Sequence, residues 1–285
     1  MKIALYYRHI DPADQPAFSQ LVSAIERRGI ATAIVSEGDT LVGYDFLLSV
    51  GGDGTLLSAV QLILGGSPLS ALRSPLSVPP IVGINFGHLG FLTSVGKEGL
   101  EQFVKDLLAG RYTVEQRTLL EVNSLTTDTP LNTSSACLYA LNEVFVHRGD
   151  SMSLLRTHVY VDDDFVATYT GDGVIVATPT GSTAYSLSCG GPILTPNSCS
   201  LVVTPISAHT LTLRPIIVPD TSRLRLDIEG EEFTLGFDSR RQSFRGTASL
   251  LLERAPFTIQ LIRTGSQNFF SAIRDKLMWG TEVRP

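Results

Sequence analysis

YDFLLSVGGDGTLLSAVQLILGG, residues 44–66, reads as a strand, a glycine-rich turn and a helix in immediate succession. Tyr44 to Val50 is an apolar run of strand length. Leu56, Leu57, Val60, Ile63 and Leu64 then recur at helical spacing, and Gly65-Gly66 closes the segment. A turn so placed lies at the carboxyl end of a sheet strand, where open α/β folds bind ligands. Outward from it the same alternation continues. Lys2 to Tyr7 and Ala31 to Val35 read as strands, separated by a helix carrying Ala17, Leu21, Val22 and Ile25 and ended by Gly29. Residues 65–80, rich in Pro, Ser and Gly, read as a loop. Pro80 to Asn85 begins a further strand, and Leu100, Phe103, Val104, Leu107 and Leu108 form the apolar face of a helix. This order predicts a mainly parallel sheet covered by helices.

The periodicity changes near residue 115. From about Arg117 to Ile262 short alternating segments follow one another, among them His158 to Val161, Arg223 to Ile228 and Phe233 to Phe237. Asp162-Asp163-Asp164 and Glu229-Gly230-Glu231 read as the turns between them. The expectation is an α/β amino-terminal domain over 1–115 and an all-β, sandwich-like carboxyl-terminal domain over 116–265. The tail regains helical spacing through Phe269, Ile273 and Leu277, which gives a terminal helix over about 266–280.

With 285 residues, 43% of them hydrophobic and 18% charged, the chain falls in the globular class. A formal net charge of -6 argues against a surface built to hold DNA or RNA, though not against a single nucleotide bound by backbone N–H groups. Cys137, Cys189 and Cys199 show no CxxC spacing, so a disulfide framework is not expected and a reducing compartment is. No apolar run approaches transmembrane length and the amino terminus lacks a signal-peptide core, so the expectation is a soluble, cytoplasmic protein without a membrane partner.

Four segments carry candidate chemistry. In Gly51-Gly52-Asp53-Gly54-Thr55 the glycines let a ligand approach the backbone, and Thr55 is read as the cap of the following helix. Asp53 repels phosphate, so it is read as the acceptor of a hydroxyl proton or a partner of a metal. No Gly-Lys-Ser/Thr follows, which excludes a Walker loop. Asn142-Glu143, before Val144-Phe145-Val146, can bond a sugar's vicinal hydroxyls or simply begin a strand. Thr178 to Ser186, TPTGSTAYS, joins a strand to a helix with hydroxyls and backbone N–H groups suited to phosphate and nucleobase. Phe91, in Gly87-His88-Leu89-Gly90-Phe91, can stack on a base or fill a core. His9, His147 and His158 have no metal-ligand spacing and are read as without a chemical role.

Together these segments resemble the NAD kinase family: GGDGT at 51–55, NFGHLGFLT at 85–93, ALNEVFVHRG at 140–149, GDGVIVATPTGSTAYSLSCGGP at 171–192 and TPISAHTLTLRPIIVP at 204–219. Phosphofructokinases and diacylglycerol or sphingosine kinases carry motifs like the first. The resemblance implies phosphorylation of the 2′-hydroxyl of NAD's adenosine ribose by ATP, or by polyphosphate in some members. A divalent cation, Mg2+ by expectation, accompanies the donor; its protein ligands are left open. Asp53 would be the base with Gly54 beside the ligand, and Asn142 and Glu143 would bind the sugar. Phe91, Thr183, Ala184 and Tyr185 would surround the adenosine, with Ser186 and Ser188 in the same stretch. Gly51, Gly52, Thr55, Thr180, Gly181 and Ser182 would form the phosphate region. Asp172 would contact the nicotinamide half, in many members across the subunit boundary of a homodimer or homotetramer. The resemblance also implies that NAD binds between the two domains and that the terminal helix returns to the first.

Three positions depart from the family pattern. Arg240 follows Asp238-Ser239 where Gln is frequent, and is read as facing solvent. Cys189 replaces Ala before Gly-Gly-Pro and is read as a small buried thiol. Thr170 stands where NAD-selective members carry a basic residue, which leaves NADH open as a second substrate. Two other readings stay open at this level: a lipid or sugar kinase that shares GGDGT, and a dinucleotide-binding sensor without catalysis.

Overall fold

A computed structural model describes residues 1–66, 78–127, 139–150, 153–265 and 268–280. Cys137 and most of the loop read at 65–80 lie outside the described residues. The chain forms two units, one of residues 1–116 and 259–285 and one of residues 117–258.

In the first unit, β1 (Lys2–Tyr6), β2 (Ala31–Ile34), β3 (Phe46–Val50) and β4 (Ile81–Ile84) pair in parallel in the order β2-β1-β3-β4. Leu261 and Ile262 extend the ladder, parallel to Ile81 and Val82. Alternate residues Ile3, Leu5, Phe46, Leu48, Val50, Val82 and Ile84 share one apolar cluster. Their neighbours Ala4, Leu47 and Ile81 are equally inaccessible. Burial on both faces is why these strands read as unbroken apolar runs. Helix α1 (Gln15–Glu26) buries Phe18, Leu21, Ala24 and Ile25, and α3 (Leu100–Leu108) buries Leu100, Phe103, Val104 and Leu107, both against that cluster. Helix α2 (Asp53–Gly66) starts three residues after β3 and buries Leu56, Leu57, Ala59, Val60, Leu62, Ile63 and Leu64, while Asp53, Thr55, Ser58 and Gln61 are partly exposed. No described helix is long and apolar enough to cross a membrane.

In the second unit the strand pairs whose register is described are antiparallel, and the unit is a β-sandwich. Its strands are β5 (Thr113–Thr127, which begins in the first unit), β6 (Tyr139–Ala140), β7 (Glu143–His147), β8 (Leu155–Val161), β9 (Asp164–Gly171), β10 (Gly173–Ala177), β11 (Ser200–Ile206), β12 (Ile216–Pro219), β13 (Leu224–Phe237) and β14 (Arg240–Arg263, which ends in the first unit). Alternation divides the residues between two cores. Val144, Val146, Val174, Val176, Leu201 and Val203 join Leu226, Phe233, Leu235, Phe244 and Leu250 in the large cluster. Ile175, Ala177, Val202 and Ile206 face the other way, under Leu194, Phe145 and Tyr185. The segment after β10 therefore packs on the outer face of its own sheet.

The structure corrects one turn. Glu229-Gly230-Glu231 lies inside β13, which runs unbroken against β14 with a register shift between Gly230 and Glu232. A glycine within a strand marks a bulge as readily as a turn, and local composition does not separate the two. The reading at Asp162-Asp163 agrees with a tight hairpin between β8 and β9, both residues having positive φ. The tail forms α4 (Phe269–Leu277), opened by a reciprocal cap between Asn268 and Ser271 and belonging to the first unit.

Phe233 and Phe244 stack face to face, with centroids 5.4 Å apart and both rings buried. Phe244→Ala should cost about 3–5 kcal/mol, read as a lower urea midpoint at unchanged slope. Phe165→Ala, on an exposed ring at the β8–β9 hairpin, should stay within about 0.5 kcal/mol of wild type. Equal costs for the two would contradict the assigned core.

Candidate active site

The glycine-rich turn is set by its neighbours. Gly51 donates its N–H to the Ile84 carbonyl (2.8 Å) and adopts φ 145°. A Cβ there would come within 2.4 Å of Thr55 Oγ1. Thr55 is therefore the packing partner of the turn and not a helix cap: α2 begins earlier, at Asp53, and the Thr55 N–H bonds the Gly52 carbonyl (2.9 Å). Gly54 is exposed and Asp53 half-buried at the first turn of α2, the end of a helix that favours negative charge.

The carboxylate of Asp53 is held by the loop after β4. Its Oδ2 accepts the Phe91 N–H (2.8 Å); its Oδ1 accepts those of Leu92 and Thr93 (3.2 Å each), with the Thr93 hydroxyl at 3.4 Å. Gly90 permits this approach, since a Cβ there would overlap Asp53 Oδ1 at 1.7 Å. Phe91 contributes its backbone to Asp53 while its half-buried ring lies 6.3 Å from that of Phe269, with the Lys276 ammonium 5.8 Å from its centroid.

In the second unit a different carboxylate does the same for Asn142 and Glu143. Asp238, at positive φ in the turn between β13 and β14, accepts the N–H groups of Leu141 (2.9 Å), Asn142 (2.7 Å) and Glu143 (3.3 Å). Sequence reading missed Asp238; its only signal was a turn-forming Asp-Ser after an apolar strand. Arg240 does not face solvent as expected. It is partly buried, donates to the Tyr139 carbonyl (3.1 Å) and lies near the Asp238 charge. Burial pushes the Glu143 carboxyl up to about 8, the Asp238 charge adds to this, and the Tyr185 N–H opposes it. Burial raises Asp238 as well, but three backbone donors and Arg240 work against it. The Oε2 of Glu143 is buried without a hydrogen-bond partner.

The hydroxyl-rich segment spends most of its hydroxyls on itself. Thr178 Oγ1 donates to the Leu141 carbonyl (2.6 Å) and accepts the Gly181 N–H (3.2 Å). Ser182, expected at a phosphate, is fully buried; its hydroxyl bonds the Pro179 carbonyl (2.7 Å) and the Leu194 N–H (2.9 Å). Thr180 is buried beside Arg117. Ser186, expected near the adenosine, is also buried and bonds Thr204 Oγ1 (2.8 Å). At Thr178 and Ser182 the small hydroxyl satisfies backbone, and at Thr180 and Ser186 it meets another side chain. Thr183, Ala184 and Tyr185 are half-exposed and Ser188 is exposed. The Tyr185 ring meets Phe145 edge-on at 5.5 Å. These two rings, with His147, Glu232, Thr234 and Arg241, line a cavity of about 470 Å³. Neither His147 nor Arg241 had been read as part of a site. Cys189 is half-buried and unpaired, and burial pushes its thiol up. Asp172 is bonded within the chain to Arg148 Nε (2.6 Å); that hydrogen bond, against some desolvation, holds its carboxyl below the usual range. Among the described residues no three His, Cys, Asp or Glu side chains gather as a metal site.

Residues 31–112 match the ATP-NAD kinase amino-terminal domain, and residues 141–263 the ATP-NAD kinase carboxyl-terminal domain. An NAD kinase of Flavobacterium psychrophilum is 38% identical over 265 residues, 91% of this chain and 85% of that one. An NAD kinase of Christiangramia forsetii is 31% identical over the whole of both chains. Among solved structures, a yeast NADH kinase complexed with NADH shares the fold with a TM-score of 0.83 and 23% identity, over 99% of this chain and 89% of that one. An NAD kinase from Archaeoglobus fulgidus in complex with ATP gives 0.77 at 25% identity, over 96% and 99%. Fold and motifs together define a two-domain kinase, with GGDGT in its α/β domain and TPTGSTAY in its β-sandwich. The chain belongs to the NAD kinase family, enzymes that phosphorylate NAD with ATP.

The state of Glu143 has a consequence for stability. The unfolded chain releases this proton near 4.5 and the folded chain near 8, so between these values the folded state binds more protons. Its contribution is complete below the lower value and is lost as pH rises through the upper; Asp238 adds the same sign. Wild type should therefore lose more Tm than Glu143→Gln between about pH 5 and pH 8, by a few degrees. Equal losses would mean that Glu143 is ionised in the fold.

Proposed function

We propose that this chain transfers the γ-phosphoryl group of ATP to the 2′-hydroxyl of the adenosine ribose of NAD, with Asp53 as the base. The observation that carries the reading is the Asp53 carboxylate, fixed by backbone N–H groups at the amino end of α2. A sugar hydroxyl is a poor nucleophile at neutral pH and must lose its proton as the bond to phosphorus forms. Among the described bonds Oδ1 of Asp53 carries three contacts and Oδ2 one, which leaves Oδ2 acceptor capacity for a hydroxyl. Fixing the carboxylate before substrate arrives also removes an ordering step from the reaction.

Asn142 and Glu143 are the proposed sugar contacts. Glu143 as a neutral acid can donate as well as accept, which suits it to a hydroxyl pair. Tyr185, Thr183, Ala184 and Phe91 are the proposed adenosine contacts. Gly52 and Gly54 supply the approach for phosphates. Asp172 on the nicotinamide half, Ser188 beside the dinucleotide and a homodimer or homotetramer belong to the same reading and rest on the resemblance. The divalent cation enters with ATP, neutralising donor phosphates. Cytoplasmic placement completes the reading.

Incubation with ATP, magnesium and NAD, followed by a dehydrogenase assay for NADP, tests the activity; polyphosphate in place of ATP tests the donor. Asp53→Asn keeps hydrogen-bonding capacity but not basicity, so kcat should fall about 10²–10⁴-fold with NAD affinity nearly unchanged. Turnover within about threefold of wild type would exclude the role. With uncharged Thr170 near Asp172, NADH is also proposed as an acceptor. A kcat/KM for NADH below about a hundredth of that for NAD, a gap of about 2.7 kcal/mol, would reject it.

A further inference from the structure

We propose that Arg263, at the carboxyl end of β14, is a positioning residue for the base: it orients the peptide groups of the Phe91–Thr93 loop that hold the Asp53 carboxylate. The proposal rests on Asp53 being the base, and all the groups involved lie in the first unit.

Arg263 is buried, with 8% of its surface accessible, where an arginine is costly unless every polar edge finds a partner. Its Nε donates to the Glu115 carboxylate (3.1 Å), its Nη2 to the Phe91 carbonyl (2.6 Å) and its Nη1 to the Leu92 carbonyl (3.4 Å). A peptide unit is planar and trans, so the carbonyl of one residue and the N–H of the next point in opposite directions from a single rigid plate. The Phe91 carbonyl belongs to the plate that carries the Leu92 N–H, and the Leu92 carbonyl to the plate that carries the Thr93 N–H. Those two N–H groups are the ones that reach Asp53 Oδ1. Arg263 therefore grips from behind the same two plates that grip the carboxylate in front. Rotation of either plate breaks bonds on both sides at once.

The rigid fork of the guanidinium is what allows one side chain to meet two successive carbonyls and a carboxylate together. A lysine keeps the charge and can meet Glu115, but as a single point donor on a flexible stem it does not hold both plates. The expected result of loosened plates is a carboxylate displaced from the reacting hydroxyl, which lowers turnover without removing any group that touches substrate.

Arg263→Lys in the full-length chain is the test, because it retains the buried charge that Arg263→Ala would delete. Its kcat should fall at least about tenfold, with KM for NAD and for ATP within about threefold of wild type. Amide exchange of residues 86–95 should quicken, while that of the β3 core stays protected. In an Asp53→Asn background, with product accumulated over hours, the same lysine should change the residual rate by less than about twofold, since the group it positions is gone. An equal fold-loss in both backgrounds, unchanged kcat, a loss confined to KM, or an Arg263→Lys chain that cannot be obtained folded would each overturn the proposal. Full activity of Asp53→Asn alone would instead overturn the reading of Asp53 as base, so the two failures are distinct.

Discussion

A carboxylate at the head of α2 accepts three successive backbone N–H groups, and the α/β unit is built around that contact. The turn before Asp53 must be free of side chains, Gly90 must have no Cβ, and β3 and β4 must lie in parallel register so that both loops leave the sheet at the same end. Each requirement is met by residues that do nothing else chemically. The arrangement also settles the loop's own needs: Phe91, Leu92 and Thr93 give their N–H groups to Asp53, and Arg263 takes two of the carbonyls. The loop is thereby satisfied without secondary structure, as a partly buried segment must be.

The second unit repeats the device with other residues. Asp238 takes the N–H groups of residues 141–143, and Thr178 takes the Leu141 carbonyl. Around it the hydroxyls of Thr178 and Ser182 bond backbone and that of Ser186 bonds Thr204, so the stretch is held by its own bonds. In both units the successive N–H groups are taken by a carboxylate of the chain itself, which fixes a loop that has no ladder partner. The two carboxyls differ in environment: three backbone N–H groups surround Asp238, whereas Glu143 is buried with an unpartnered Oε2.

Reading from residues alone found the strand–turn–helix at 44–66, the mainly parallel sheet of the first unit and the change to β structure near residue 115. All three depend on local period and on glycine, which neighbouring residues express directly. It also singled out Asp53, Asn142, Glu143 and the 178–186 segment as candidates, because unusual side chains at strand ends stand out from apolar runs. It misplaced the helix start at Thr55, the bulge at Gly230 and the outlook of Arg240, and it gave Ser182 and Ser186 to a ligand. In each case the deciding partner is a backbone or side-chain group whose position local pattern does not express.

The amino-acid order by itself thus determined much of which segments are strands and helices, and which short stretches are candidates for chemistry, since both follow from spacing along the chain. Only the tertiary structure decided which polar groups remain available. Asp238 meets Leu141 across 97 positions, and Arg263 meets Phe91 across 172. A hydrogen bond of that separation is set by where the sheets bring two loops, and no period, cap or turn preference in either loop encodes its partner.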